Sequence, residues 1–267
     1  MKNALQNLSV VVSCLLAING VCTSTSVAKY DLAAASAVWL FDDGDGDVAE
    51  DMTGNGNDGE LMNGPEWVDG LYGEALEFNG TNAYVSVPQP VDLPAGSDPR
   101  SVMLSFKWDE VKWPAPGIEP MGYGTNGAGL RFGVWIDASK AVGVETCNFG
   151  VVTPWKGDTD WHHLAITYPE GETKTDQLKV YFDGEPGDGN LIGAAQSFNT
   201  SPGPLTIGVL PTPLVYYFNG IIDDVAIFPE ELSADDIAAI ANRGLEKAQA
   251  VSRSGKLATS WGTLKRR

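Results

Sequence analysis

The sequence is short of cysteine, histidine, basic residues and long apolar runs, and each shortage excludes something. Three cysteines occur in 267 residues. Two of them, Cys14 and Cys22, fall in an N-terminal segment that reads as removable. A lone Cys147 cannot build a disulfide framework, so packing or a bound ion must hold the fold. With Val142 and Val144 just upstream, that thiol is expected to be buried and inert. The two histidines are adjacent, His162 and His163. Neighbours on a strand point to opposite faces, so they cannot chelate one metal together and are read as structural. Lys and Arg number 17 against 35 Asp and Glu, a net charge of −18. No basic surface offsets phosphate repulsion, which excludes nucleic acid as a partner and disfavours anionic membranes. No apolar run reaches the length that spans a bilayer. Leu8 to Ile18 is apolar but short, follows Lys2, and precedes Ser26-Val27-Ala28. That is the pattern of a signal peptide over 1–28, cleaved after Ala28, and the expected location is secreted, periplasmic or cell-surface.

What is present is punctuation and alternation. Glycine (31) and proline (16) are dispersed through the chain, as in a fold with many turns. Between them lie short runs with period-two patterning: Ala37–Phe41, Glu74–Phe78, Ala83–Val87, Ser101–Trp108, Leu130–Ile136, Ala141–Val144, Trp161–Tyr168, Leu178–Phe182, Leu205–Ile207 and Ile221–Phe228. Asn79-Gly80 between two of them is a hairpin signal. Many short strands separated by turns predict an all-β sandwich or barrel. One helix is predicted after Ser233-Ala-Asp-Asp236, a capping box with Asp in the reciprocal position. It carries Ile237 and Ile240, with Leu245 continuing that spacing just past its stop at Gly244. Residues 29–242 hold 9 basic and 34 acidic side chains, whereas residues 243–267 hold 7 basic ones and only Glu246. The sequence therefore divides into an acidic domain over 29–244 and a basic tail over 245–267, a candidate for docking on an acidic surface.

Five motifs occur in register: Val38-Trp-Leu-Phe-Asp42 with Asp51-Met-Thr-Gly-Asn-Gly-Asn57; Phe78-Asn-Gly-Thr-Asn-Ala-Tyr-Val85; Trp161-His-His-Leu-Ala-Ile-Thr-Tyr168; Val180-Tyr-Phe-Asp-Gly184; and Gly220-Ile-Ile-Asp-Asp-Val-Ala-Ile-Phe228 before Glu231-Leu-Ser-Ala234. Together they resemble the bacterial laminin-G-like domains of the concanavalin A-like lectin/glucanase superfamily, over roughly residues 35–244. The resemblance implies an antiparallel jelly-roll β-sandwich with one short C-terminal helix. It also implies a structural Ca²⁺ where the first and last strands meet, with candidate ligands Asp42, Asp51, Asn57, Asp223 and Asp224. Asp223 shares a strand face with Val225 and Ile227, which points its carboxylate towards the packed side. The run Asp43-Gly-Asp-Gly-Asp47 begins like an EF-hand but has Val48 and Gly54 where that loop needs Gly and Glu, so an EF-hand is rejected.

Such a fold hosts lectins, adhesion modules and glycosidases alike. The glucanases of the class carry their carboxylates along one strand as Glu-x-Asp-x-(x)-Glu, which is not found here. Glu74 and Glu77, and Asp223 and Asp224, point to opposite faces. The expectation is therefore a non-catalytic binding module for carbohydrate or an extracellular protein. A divergent glycoside hydrolase or a purely structural, adhesive component is the alternative. Aromatic side chains in or near loops are the candidate ligand platforms: Trp113, Tyr123, Trp155, Tyr216 and Tyr217. Trp39 and Trp161 are expected in the core, and Arg131 in a structural ion pair.

Overall fold

The computed structural model describes residues 30–108, 117–137, 141–147 and 149–248. The expected signal peptide, Trp113 and the tail from residue 249 onward lie outside them. Among the described residues the strands are β1 (Ala37–Trp39), β2 (Val48–Ala49), β3 (Gly59–Met62), β4 (Glu66–Asp69), β5 (Glu74–Asn79), β6 (Tyr84–Val87) and β7 (Arg100–Trp108). They continue with β8 (Gly117–Gly124), β9 (Arg131–Asp137), β10 (Ala141–Glu145), β11 (Gly150–Pro154), β12 (Trp161–Tyr168) and β13 (Lys179–Phe182). The last are β14 (Glu185–Pro186), β15 (Asn190–Ile192), β16 (Leu205–Ile207), β17 (Leu210–Pro211), β18 (Leu214–Val215) and β19 (Asn219–Phe228), followed by helix α1 (Ala234–Arg243).

Two antiparallel sheets form, as expected, but the turn at Asn79-Gly80 carries the chain from one sheet to the other instead of closing a hairpin. The eight-stranded sheet runs β14-β13-β12-β7-β19-β5-β4, with β1 also paired to β19. The nine-stranded sheet runs β15-β11-β10-β9-β8-β16-β6-β3-β2. Alternation builds the core between them. In β9, Phe132, Val134 and Ile136 meet Leu104, Phe106, Leu164 and Ile166 of the other sheet, which leaves Arg131, Gly133 and Trp135 facing outward. Trp39 is fully buried here, with its indole N–H donating to the Asn57 carbonyl at 2.9 Å. Trp161, expected in the core, is only half-buried at the start of β12.

A second apolar cluster covers the back of the eight-stranded sheet. Val38, Met103, Ala165 and Ala226 receive Ile237 and Ile240 of the helix, together with Tyr30 and Leu32. Ser233 caps the helix by accepting the Asp236 N–H at 3.2 Å, and its hydroxyl donates to the Asp236 carboxylate at 2.6 Å. Gly244 ends the helix at φ 77°, a left-handed conformation that glycine adopts without strain. Residues 245–248 make one further helical turn, in which Leu245 and Ala248 are buried. The Tyr30 hydroxyl donates to the Leu245 carbonyl at 2.6 Å, so packing extends beyond Gly244 to residue 248. Cys147, expected to be buried, is half-buried in the turn between β10 and β11, at φ 61° with its thiol 3.6 Å from Asn126 Oδ1.

Candidate functional site

The long strand β19 positions the acidic candidates. One of its edges pairs with β7 throughout, while the other is shared: residues 219–222 pair with β5 and residues 225–227 with β1. Between these halves the register against β7 shifts by one residue, and Asp224 adopts φ 51°. This bulge breaks the alternation expected from sequence. Ile222, Val225 and Ile227 all face the main core, and Asp223 is turned to the other side. There it is completely buried. Its Oδ2 accepts the N–H groups of Leu71 and Tyr72 at 2.8 and 3.0 Å, whereas Oδ1 has no hydrogen-bond partner.

Asp224, also buried, accepts the Leu245 N–H at 3.1 Å. Asp42, just beyond β1, accepts the Glu74 N–H at 2.9 Å. Burial, reinforced by Asp42, pushes Asp223 up to about 6. Burial and the neighbouring Asp223 push Asp224 up to about 8. A void of about 30 Å³ lies between Asp42, Tyr72, Asp224 and residues 243–247. Among the described residues no group of three or more His, Cys, Asp or Glu is spaced to hold a metal by itself, so an ion here would need backbone carbonyls and water as well.

Asp51 and Asn57 do not join this group. Asp51 Oδ1 accepts from the Val38 N–H and from the Thr53 N–H and hydroxyl, and Oδ2 accepts the Asn57 N–H. The Asn57 amide donates to Ser36 and Val91 carbonyls and accepts the Val91 N–H. Both side chains are engaged in organising the loop after β2, away from Asp42, Asp223 and Asp224.

The aromatic candidates separate in the same way. Tyr123 lies in strand β8, buried, with its hydroxyl accepting from Arg100 at 2.8 Å; it is no exposed platform. Trp155 is buried against Phe106, His162 and Phe182, so it too belongs to the core. Tyr216 and Tyr217 are half-buried on the outer face of the nine-stranded sheet. Tyr216 packs edge-on to Trp135 at 5.5 Å, and Tyr217 lies 6.4 Å from Tyr84. Trp135 is on β9 and Tyr84 on β6, three strand spacings apart, which is about 14 Å. The four rings thus form a row across this face, in which Trp135 is buried beside Tyr216 while Tyr216, Tyr217 and Tyr84 are half-buried. Trp135 and Tyr84 are absent from the platforms expected from sequence, although each alternates with core residues in its strand and so has to face outward.

Near the Trp135 end of the row, across β8, β9 and β10, lies a charged cluster that no sequence motif announces. Glu119 on β8 is completely buried and lies 3.8 Å from Arg131 Nε on β9. Arg131 pairs through Nη2 with Glu145 on β10. Burial raises the Glu119 carboxyl well above the usual range, Arg131 opposes the shift and Glu145 adds to it. The ion pair expected for Arg131 therefore exists, with two carboxylates from different strands. An open cleft of about 500 Å³ lies elsewhere, between the Pro88–Ala95 segment and Pro202. Its lining includes four prolines, Leu93 and the buried Tyr123.

A model of the Laminin_G_3 family, described as the Concanavalin A-like lectin/glucanases superfamily, matches residues 79–238. Among solved structures, domain 4 of AbnA, a GH43 extracellular arabinanase from Geobacillus stearothermophilus in complex with arabinotriose, is 18% identical with a TM-score of 0.56; 78% of this chain and 98% of that one are covered. Trypanosoma rangeli sialidase is 18% identical with a TM-score of 0.56, over 77% of this chain but only 32% of the sialidase. The binding domain of botulinum neurotoxin serotype G is 12% identical with a TM-score of 0.55, over 78% of this chain and 50% of that domain. Likeness at these identities shows the fold. No sequence among the curated proteins matches.

Proposed function

Because this chain belongs to the Concanavalin A-like lectin/glucanases superfamily, we propose that it is an exported, non-catalytic carbohydrate-binding module. The observation that carries this reading is the ring row Trp135–Tyr216–Tyr217–Tyr84 on the outer face of the nine-stranded sheet. Aromatic rings beside hydrogen-bonding groups suit the apolar faces and hydroxyls of sugar rings. The arabinotriose complex of the arabinanase domain supports the same class of ligand on the same fold.

Catalysis by the Glu119–Glu145 pair is disfavoured by its placement. Hydrolysis needs two carboxyls flanking a glycosidic bond, about 5–10 Å apart. Here the Arg131 guanidinium contacts both Glu119 and Glu145 and occupies the space where that bond would sit. Titration calorimetry of the full chain with arabinotriose, xylotriose and cellotriose tests the reading. Binding that drops about tenfold in Tyr84→Ala and Tyr217→Ala, with unchanged melting temperature, supports it. Absence of binding to all three sugars overturns it.

Calcium is proposed as a structural ion at the β19 bulge. Its support is the buried, unpartnered Asp223 Oδ1 beside Asp42 and Asp224, since a hard cation satisfies buried carboxylate oxygens. Asp223 and Asp224 would hold it together with backbone carbonyls and water, neutralising their mutual repulsion. Chelator-stripped protein is expected to melt higher when millimolar Ca²⁺ is added. An unchanged melting temperature removes calcium from the proposal.

A further inference from the structure

Hairpin β17–β18 pairs only with itself and lies over the nine-stranded sheet without joining its hydrogen-bond ladder. Beneath it sits Glu119. The Glu119 N–H donates to the Tyr216 carbonyl at 3.0 Å, at the base of the hairpin. A Cβ placed on Gly122 would come within 2.5 Å of Glu119 Oε1 and 3.3 Å of Pro211 Cδ, and one on Gly133 would overlap Oε1 outright. The paired glycines Gly122 and Gly133 thus open a niche in the sheet surface, the carboxyl fills it, and the hairpin roofs it.

The niche is badly satisfied. Neither carboxyl oxygen of Glu119 has a hydrogen-bond partner, and neither does Arg131 Nε. Glu119 Oε1 and Arg131 Nε attract each other at 3.8 Å but make no hydrogen bond, so the covered site leaves hydrogen-bonding capacity unused. The roof is short, two residues per strand: Leu210 and Pro211 are buried against the sheet, and Leu214 of β18 is exposed.

We infer that β17–β18 is a strap over a saccharide subsite whose floor is Glu119, Arg131 and Glu145 and whose wall is Trp135. The inference rests on the carbohydrate reading and assigns it an inner subsite. With the strap lifted, Arg131 Nε–H donates to a sugar hydroxyl oxygen. The buried carboxyl of Glu119, whose oxygens have no hydrogen-bond partner, meets a neighbouring hydroxyl. The partly exposed Glu145 carboxylate accepts from a second hydroxyl, and the indole of Trp135, freed from Tyr216, meets the apolar face of the ring. Neutral vicinal hydroxyls match this set. An anionic ligand would face Glu145, and a cationic one would face Arg131.

The test uses the full chain with the three trisaccharides named above. Glu119→Leu is expected to weaken binding about tenfold while raising the melting temperature, because it removes an unsatisfied carboxyl. Glu119→Gln, which keeps a donor and an acceptor, is expected to bind within about threefold of wild type. Saccharide is also expected to change hydrogen exchange at the Glu119 amide, which reports the bond to Tyr216. If Glu119→Leu binds as wild type does while Tyr84→Ala is impaired, the strap inference falls and the carbohydrate reading stands. If the wild type binds no sugar, both fall. Should Glu119→Leu not fold, the amide decides: exchange unaffected by a bound sugar overturns the inference.

Discussion

Single residues set the pH response of this protein. Asp223 and Asp224 titrate in the fold at about 6 and about 8, above their unfolded value of about 3.9. Over that interval the folded state binds more protons than the unfolded one, so stability falls as pH rises from about 4 to about 8. In metal-free protein, Asp223→Asn is expected to raise the melting temperature at pH 8 and to flatten its decline with pH. Thermal scans between pH 5 and 8.5 measure both. An unaltered slope would mean that the pair is not the source of the strain. Burial works to lower the His162 pKa, but hydrogen bonds to Asp183 and Asp158, at 2.9 and 2.6 Å, raise it above the usual imidazole value. Its contribution is therefore complete below about pH 6.5 and is lost as pH rises through the raised value. His162→Gln should cost most stability near pH 6 and much less at pH 9. His163, buried on the opposite face and lowered to about 4 by that burial, acts with the other sign, destabilising the fold as pH falls from 6.5 towards 4.

At the scale of elements, glycine decides where a strand can carry chemistry. Gly122 and Gly133 face each other across β8 and β9, and their missing side chains are what admits Glu119. Gly133→Ala is expected to destabilise the protein by about 1–3 kcal/mol through overpacking. In the Glu119→Leu background the cost should change, because the two side chains share the niche, and a double-mutant cycle by denaturant unfolding measures the coupling. Additive effects would show that the niche is not shared. The same glycines explain what is hard to read in the sequence. Gly117 to Gly124 contains Pro120 and three glycines, so nothing in it announces strand β8, and Tyr123 reads as a loop residue. By contrast β9 is plain, because Phe132, Val134 and Ile136 alternate with Arg131, Gly133 and Trp135. The outward position of Trp135 follows from that alternation alone. The bulge at Asp224 does not, since one inserted residue in β19 follows from its competing partners β5 and β1 and from no local signal.

For the molecule as a whole, the two ends of the described chain close the back of the eight-stranded sheet together. Tyr30 contacts Phe228 at 5.6 Å and bonds the Leu245 carbonyl. Leu245→Ala should therefore cost about 2–5 kcal/mol, as for a core leucine, although the residue lies beyond the predicted helix. A loss below about 0.5 kcal/mol, the surface-substitution range, would place it outside the cooperative unit. The sequence by itself determined the all-β class, the acidic character of the domain, the capped helix and its glycine stop. These rest on period, charge and local hydrogen bonding, which act between near neighbours. Only the tertiary structure decided which polar residues share a site. It joined Asp42 to Asp223 and Asp224 and left Asp51 and Asn57 to their loop. It also set Glu119 and Glu145 against Arg131 under a hairpin. Such contacts depend on strand order, register and a bulge, and those are settled by packing between segments far apart in the chain.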